Sequence, residues 1–414
     1  MEEGNYQVYG YRWVVLGVFM LINVAIQILW ICFAPITGPA AEFFGVSELS
    51  IGFLAMSFMF IYIPISMPIS WIIDTLGYHK SVSIGAIIMA VFGLLRGIFA
   101  ANYTWVLIST FGLAVAQPFM MNAISTVAAK WFPINERATA AGLATIASFL
   151  GIAIGEVLSP VLFLQTGIAN MLLIYGGFAA LSAVLFIAFT REAPPTPPCV
   201  EGQQTRALIM DGFKGMLKMK DVWILLALFL VGMGVFNGIS TWIESIVRPR
   251  GFTITQAGTL GGILLLGGVI GAAVIPLLSD RLHKRKLFLV FGLLFAIPGL
   301  IGATFATSYG WMVASLFILG FFLMSLAPVG YQYAAEITFP SPEGTSNGLL
   351  NLAGQLSVIF IYSMEIFKSA DGSFTSSMLL MVVMMFFAML LSIRLKEPIL
   401  EPGQAKLTVE PSKG

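Results

Sequence analysis

Of the 414 residues, 58% are hydrophobic and only 10% are charged, and the formal net charge is +1. A soluble domain carries about 25% charged residues, so this chain cannot coat a water-facing surface of its size, and most of its exterior must meet lipid. The near-neutral balance excludes the basic field of a nucleic-acid binder, and two cysteines, Cys32 and Cys199, offer neither a disulfide framework nor a metal site.

A membrane-crossing helix needs about 20 mostly apolar residues. Twelve such runs are predicted, an all-α chain throughout. They lie near 12–36, 50–73, 81–100, 105–129, 138–163 and 169–190, then near 222–246, 256–279, 286–306, 310–335, 345–367 and 374–394. The first follows Met1-Glu2-Glu3. It is too long for a signal-peptide core and has no basic leader, so it is read as a retained span. After the sixth run, Pro194, Pro195, Pro197 and Pro198 exclude helix interior. The chain therefore divides into a first six-helix bundle over 1–190, a linker over 191–221, a second six-helix bundle over 222–396 and a tail over 397–414. Asp211–Lys220 is expected to form a short helix on the membrane surface.

Lysine and arginine set the expected orientation. With both termini cytoplasmic, seventeen of the 21 fall on the inner side, leaving Arg96, Arg248, Arg250 and Lys368 outside. The plasma membrane is the expected location. Asn102-Tyr103-Thr104 matches a glycosylation sequon but occupies a very short outer loop, so a chance match is the expected reading.

The chain repeats itself at half its length. Asp74 closes one apolar run and Asp280 another, an offset of 280−74=206. Phe132-Pro133, Glu136 and Gly142 recur as Phe339-Pro340, Glu343 and Gly348, with offsets of 207, 207 and 206. Two equivalent apolar halves describe a transporter of two related bundles. Asp74 and Asp280 sit at cytoplasmic helix ends, where a carboxylate can accept hydrogen bonds from a neighbouring helix N-terminus. Their repetition favours a latch that closes the inner side over plain turn chemistry. Basic residues follow each aspartate, Lys80 in the first half and Arg281 to Lys286 in the second, with Arg281 directly after Asp280. Glu136, Arg137 and Glu343 occupy the other inner loops, either pairing with such charges or solvated.

Within the spans, Gln27, Gln117, Asn122, Asn237, Asn351 and Gln355 are amides that each need a partner in a dry environment. Helix-to-helix glue explains a single one, whereas clustering near helices one, four, seven and eleven suggests a cavity. Glu156 and Glu244 are acids in the outer third, candidates for proton or cation coupling or for an outer gate with Arg96 or Arg248. Apart from Arg96, no Lys or Arg lies within a span, which favours a neutral or cationic solute over phosphorylated or dicarboxylate ones. Both histidines, His79 and His283, fall in inner loops, so a haem site with a histidine ligand at mid-membrane is hard to build. No nucleotide-binding loop, nucleophile motif or metal spacing is present, so neither catalysis nor a cofactor is expected.

Twelve spans in a six-plus-six arrangement, with Asp74-Thr75-Leu76-Gly77 after the second, resemble the major facilitator superfamily. Trp71–Gly77, Glu336–Pro340 and Glu343–Asn351 are similar to the feline leukaemia virus subgroup C receptor-related (FLVCR) family, which is associated with haem export and with choline and ethanolamine uptake. The resemblance implies a choline-enclosing set, carried onto Trp30 and Gln355. Where the family has a helix-five glutamine and a helix-seven tyrosine, this chain has Phe149 and Asn237. Trp30, with Gln27 behind it, could present a ring face to a cation or serve as an interfacial anchor. The expectation is a monomeric alternating-access transporter of a small organic solute such as choline, ethanolamine or a related amine. A haem or porphyrin exporter and a non-transporting sensor on the same fold are the alternatives.

Overall fold

The computed structural model describes residues 7–133, 136–198, 215–282, 284–338, 343–369 and 372–397, with the side chains of 343–345 outside the description. Among the described residues, eleven helical runs are long and apolar enough to cross a membrane. The longest, Arg137–Phe189, has 53 residues. At 1.5 Å per residue it would span about 80 Å, against a hydrocarbon core of about 30 Å. Gly167, at φ 78 and ψ 171, folds it back on itself. It thus supplies two crossings, and the total is the twelve expected.

We number the crossings α1 (Arg12–Phe44), α2 (Glu48–Leu76), α3 (Tyr78–Ile98), α4 (Tyr103–Trp131), α5 (137–166), α6 (168–189), α7 (Lys220–Thr241), α8 (Ile254–Leu282), α9 (Arg285–Phe305), α10 (Tyr309–Thr338), α11 (Ser346–Ile366) and α12 (Thr375–Ser392). A short helix, Ile243–Val247, follows α7. The two bundles are α1–α6 and α7–α12. Successive crossings alternate direction, so one face carries the connection from α6 to α7, here the linker face. The other, carrying Glu48 and Arg248, is the far face.

Local sequence explains the breaks. Pro35 has no N–H to donate, so α1 tightens into a 3₁₀ turn at Ala34–Ile36 before resuming at Thr37. Ser47 caps α2 by accepting from the Ser50 N–H at 3.2 Å, and Asn102 caps α4 by accepting from the Thr104 N–H at 2.8 Å. Pro118 precedes the interruption of α4 at Asn122.

The bundle exteriors are apolar, with Trp71, Leu164, Val184, Leu277, Trp311 and Phe387 exposed. Lipid supplies the missing contacts, which a helix tolerates because its backbone hydrogen bonds are made internally. Inside the first bundle, α1 packs on α5 so closely that a Cβ on Gly151 would lie 2.5 Å from the Val24 carbonyl oxygen. The halves meet along two seams, α5 against α8 and α2 against α11.

Candidate functional site

Polar side chains in the middle of the first bundle find one another. Gln117 of α4 donates to Gln27 of α1 at 3.1 Å. Trp30, one turn further along α1, is 7% exposed, and its indole N–H donates to the Ala55 carbonyl of α2 at 3.1 Å. That bond fixes the plane of the ring and spends its one donor inside the bundle. Phe149 of α5 is half-buried against the core. In the second bundle Asn237 of α7 donates to the Ser357 hydroxyl of α11 at 2.9 Å. Gln355, two residues before Ser357, is half-buried and makes no side-chain hydrogen bond among the described residues. Of the expected pocket residues, Gln27 and Gln117 are bonded to each other, Trp30 and Asn237 are bonded to other groups of their own half, and Gln355 keeps its amide available.

Two tyrosine clusters were absent from the sequence reading. Tyr62 of α2 donates to Asn122 at 2.7 Å, and the Asn122 amide nitrogen donates to the Ser66 and Ser70 hydroxyls at 3.1 and 3.0 Å. Tyr331 of α10 donates to Asn351 of α11 at 2.5 Å, with its ring 5.0 Å from that of Phe229. A phenol within a span must find an acceptor, and that requirement was the available signal.

At the far face the halves are tied together. Glu48, the first residue of α2, accepts from Arg248, from Lys368 at 2.8 Å and from Ser245 at 3.2 Å. Glu244 accepts from the Gly38 N–H at 2.9 Å and from Arg248 at 3.4 Å. Gly38 and Glu48 belong to the first half; Ser245, Arg248 and Lys368 belong to the second. Burial pushes the Glu244 carboxyl up, and the Gly38 N–H and the Arg248 charge pull it back part of the way. Between these bonds and the membrane interior, the Trp242 indole lies against Gly52 of α2. The far face is closed.

The linker face differs from expectation in its partners. Asp74 is exposed and makes no hydrogen bond or ion pair among the described residues. Asp280 pairs with Arg285, not with Arg281, which is exposed. The chain reverses after Leu282, so the first residue of α9 returns to Asp280 while its sequence neighbour points away. Arg285 also reaches Glu336 at 3.0 Å, both side chains 9% exposed, and donates to Ser279 at 3.1 Å. Glu336 was not singled out in the sequence. Glu136 pairs with Arg12 of its own half at 3.1 Å, and Arg137 donates to the Phe132 carbonyl at 3.2 Å. The Glu343 side chain, His283, Cys199 and residues 211–214 lie outside the described residues, and the rest of the expected Asp211–Lys220 helix is helical at 215–216 and then turns before α7 begins at Lys220. Glu192 accepts from Lys130 and from the His79 N–H, the latter at 2.9 Å.

Of the two outer acids, Glu244 meets Arg248 as expected. Glu156 does not meet Arg96. The Arg96 guanidinium donates to the Cys32 sulfur at 3.2 Å and lies 5.5 Å from the Phe33 ring centre. Glu156 is fully buried against α8.

The family model described as Major Facilitator Superfamily matches residues 14–362 and again 246–411. The chain belongs to the major facilitator superfamily. Solute carrier family 49 member A3 of Xenopus tropicalis is 32% identical over 91% of this chain and 81% of its own. Choline/ethanolamine transporter FLVCR1 of Mus musculus is 30% identical over 88% of this chain and 70% of its own, and FLVCR2 of Homo sapiens is 28% identical over 85% and 71%. The fold matches that of a bacterial homologue of the human lysosomal transporter Spinster in an inward-facing, unoccupied conformation. That match has a TM-score of 0.76 at 18% identity and covers 93% of this chain and 97% of that one. This superfamily transporter is thus a multi-pass membrane protein homologous to the FLVCR transporters, and the early resemblance stands.

Proposed function

We propose that this transporter moves a small organic solute with a cationic head and a hydrogen-bonding group, such as choline, ethanolamine or a related amine, by alternating access. The Gln27–Gln117 amide bond one turn from Trp30 on α1 is the observation that carries the reading, and Asn237 and Gln355 add amides from the second half. A ring face attracts a cation by about 2 kcal/mol when desolvated, and amides receive a hydroxyl or amine. The names of the FLVCR1 and FLVCR2 relatives support the same solute class.

The two halves, 1–190 and 222–396, rock against each other. The far-face ties among Glu48, Glu244, Arg248 and Lys368 are the outer gate. Asp74, Asp280, Arg281, Arg285, Glu136, Arg137 and Glu343 supply the latch on the linker face when the far face opens. We place the protein in the plasma membrane as a monomer, with both termini and the linker face cytoplasmic.

Flux of radiolabelled choline and ethanolamine into proteoliposomes tests the proposal. Saturable uptake that falls in Trp30→Ala is expected. Binding without flux would make the protein a sensor, and haem flux with no amine flux would make it a porphyrin exporter.

A further inference from the structure

Glu156 of α5 is 0% exposed, and neither carboxyl oxygen has a hydrogen-bond partner among the described residues. It lies on the seam between the halves. A Cβ placed on Gly261 of α8 would meet the Glu156 Cδ at 2.7 Å, and Gly258, one turn earlier, packs on the Glu156 backbone. Gly262 likewise packs on Val157. This small-residue face lets α8 approach α5 at backbone distance and leaves no room for a compensating side chain.

Among the described residues, the surrounding elements supply no counter-charge to Glu156. From α8, no charged side chain precedes Asp280. From α1 the titratable neighbour is Cys32, bonded to Arg96 of α3. From α6 it is Tyr175, bonded to Ser159 of α5 at 2.9 Å. From the segment after α7 it is Glu244, engaged by Gly38 and Arg248. Glu48, Arg248, Glu365 and Lys368 are bonded among themselves. An ionised carboxylate without a partner is too costly in such a place, and the group takes a proton instead.

We propose that Glu156 is a proton-binding site that must be filled for the far face to close. When α8 lifts from α5 on the far side, water reaches the carboxyl and the proton leaves to it. When the seam closes, a proton is taken back from that water and becomes trapped. The far-face-closed state therefore binds one more proton than the far-face-open state, and alkaline pH on that side holds the transporter open. This inference rests on the alternating-access reading. Its consequence is that solute capture at the far face and proton release are linked at one residue on a half-to-half seam.

The test is a distance measurement between spin labels at Glu42→Cys and Thr255→Cys, exposed positions near the far end of α1 and at the far end of α8, in a Cys199→Ser background. Across the titration the open-to-closed ratio should rise about tenfold per pH unit. Glu156→Gln, which cannot ionise, should hold the closed distance at every pH, and Glu244→Gln should keep the slope. Glu156→Leu should behave as Glu156→Gln, separating loss of charge from loss of fold. A slope unchanged in Glu156→Gln, or abolished in Glu244→Gln instead, overturns the proposal, as does a wild-type ratio independent of pH. Because the readout is a distance and not flux, failure here is distinct from failure of the solute assignment.

Discussion

The indole of Trp242, from the second half, lies on the backbone of Gly52 in α2, where a Cβ would meet the ring carbon Cζ2 at 2.8 Å. Its N–H donates to the Ile361 carbonyl at 2.9 Å, so the ring is held by its own half while it covers the other. Gly52→Ala should push the seam apart. Overpacking costs about 1–3 kcal/mol, enough to raise the far-face-open population roughly five- to 150-fold. Thiol labelling of a cysteine placed at Ile246, 4% exposed in the closed form, should speed up accordingly.

Glu48 is shared by Arg248 and Lys368. Glu48→Gln keeps the shape and removes the charge that both cations face. These side chains are partly exposed, so the closed state should lose only about 1 kcal/mol. The loss should shrink at high ionic strength. Label distance distributions at low and high salt measure both effects, and a salt-independent change would mean that packing, not charge, closes the gate.

Arg285→Met should lower stability by about 3 kcal/mol, because Glu336 then loses its cation in a largely buried place, while the more exposed Asp280 is solvated. Arg281→Ala, at an exposed neighbour, should stay within about 0.5 kcal/mol. Thermal unfolding of the two purified variants in one detergent compares them directly. Equal losses would return Arg281 to the role first expected of it.

Trp30→Ala should weaken amine binding by about 1–2 kcal/mol, roughly five- to thirtyfold in Kd. Trp30→Phe keeps a ring and loses only the bond to Ala55, so it should recover most of the affinity. Gln355→Ala should lose a comparable amount by leaving a solute polar group unpaired. Calorimetric titration with choline reports all three.

Much of the architecture was legible because lipid imposes it. Span length, the proline-rich break and the repeat near 206 residues follow from hydropathy and chain symmetry, and Asp74, Asp280 and Glu156 lie on the crossings expected, whereas Glu244 lies past the end of α7, in the short helix Ile243–Val247. Partners were less legible. Lys368 finds Glu48 across 320 positions of sequence, and nothing local announces such a pair. Arg285 displaced Arg281 because a helix reversal, not sequence adjacency, decides which cation faces Asp280. Trp30 matched a family position, but only the structure gives its hydrogen bond to α2.

The single-residue turn at Gly167 has a mechanical consequence. With no slack between α5 and α6, a displacement of one drags the other, and the α5 face carrying Glu156 cannot shift without α6 following. The α5–α6 hairpin therefore moves as one lever, whose fulcrum is the α5–α8 seam.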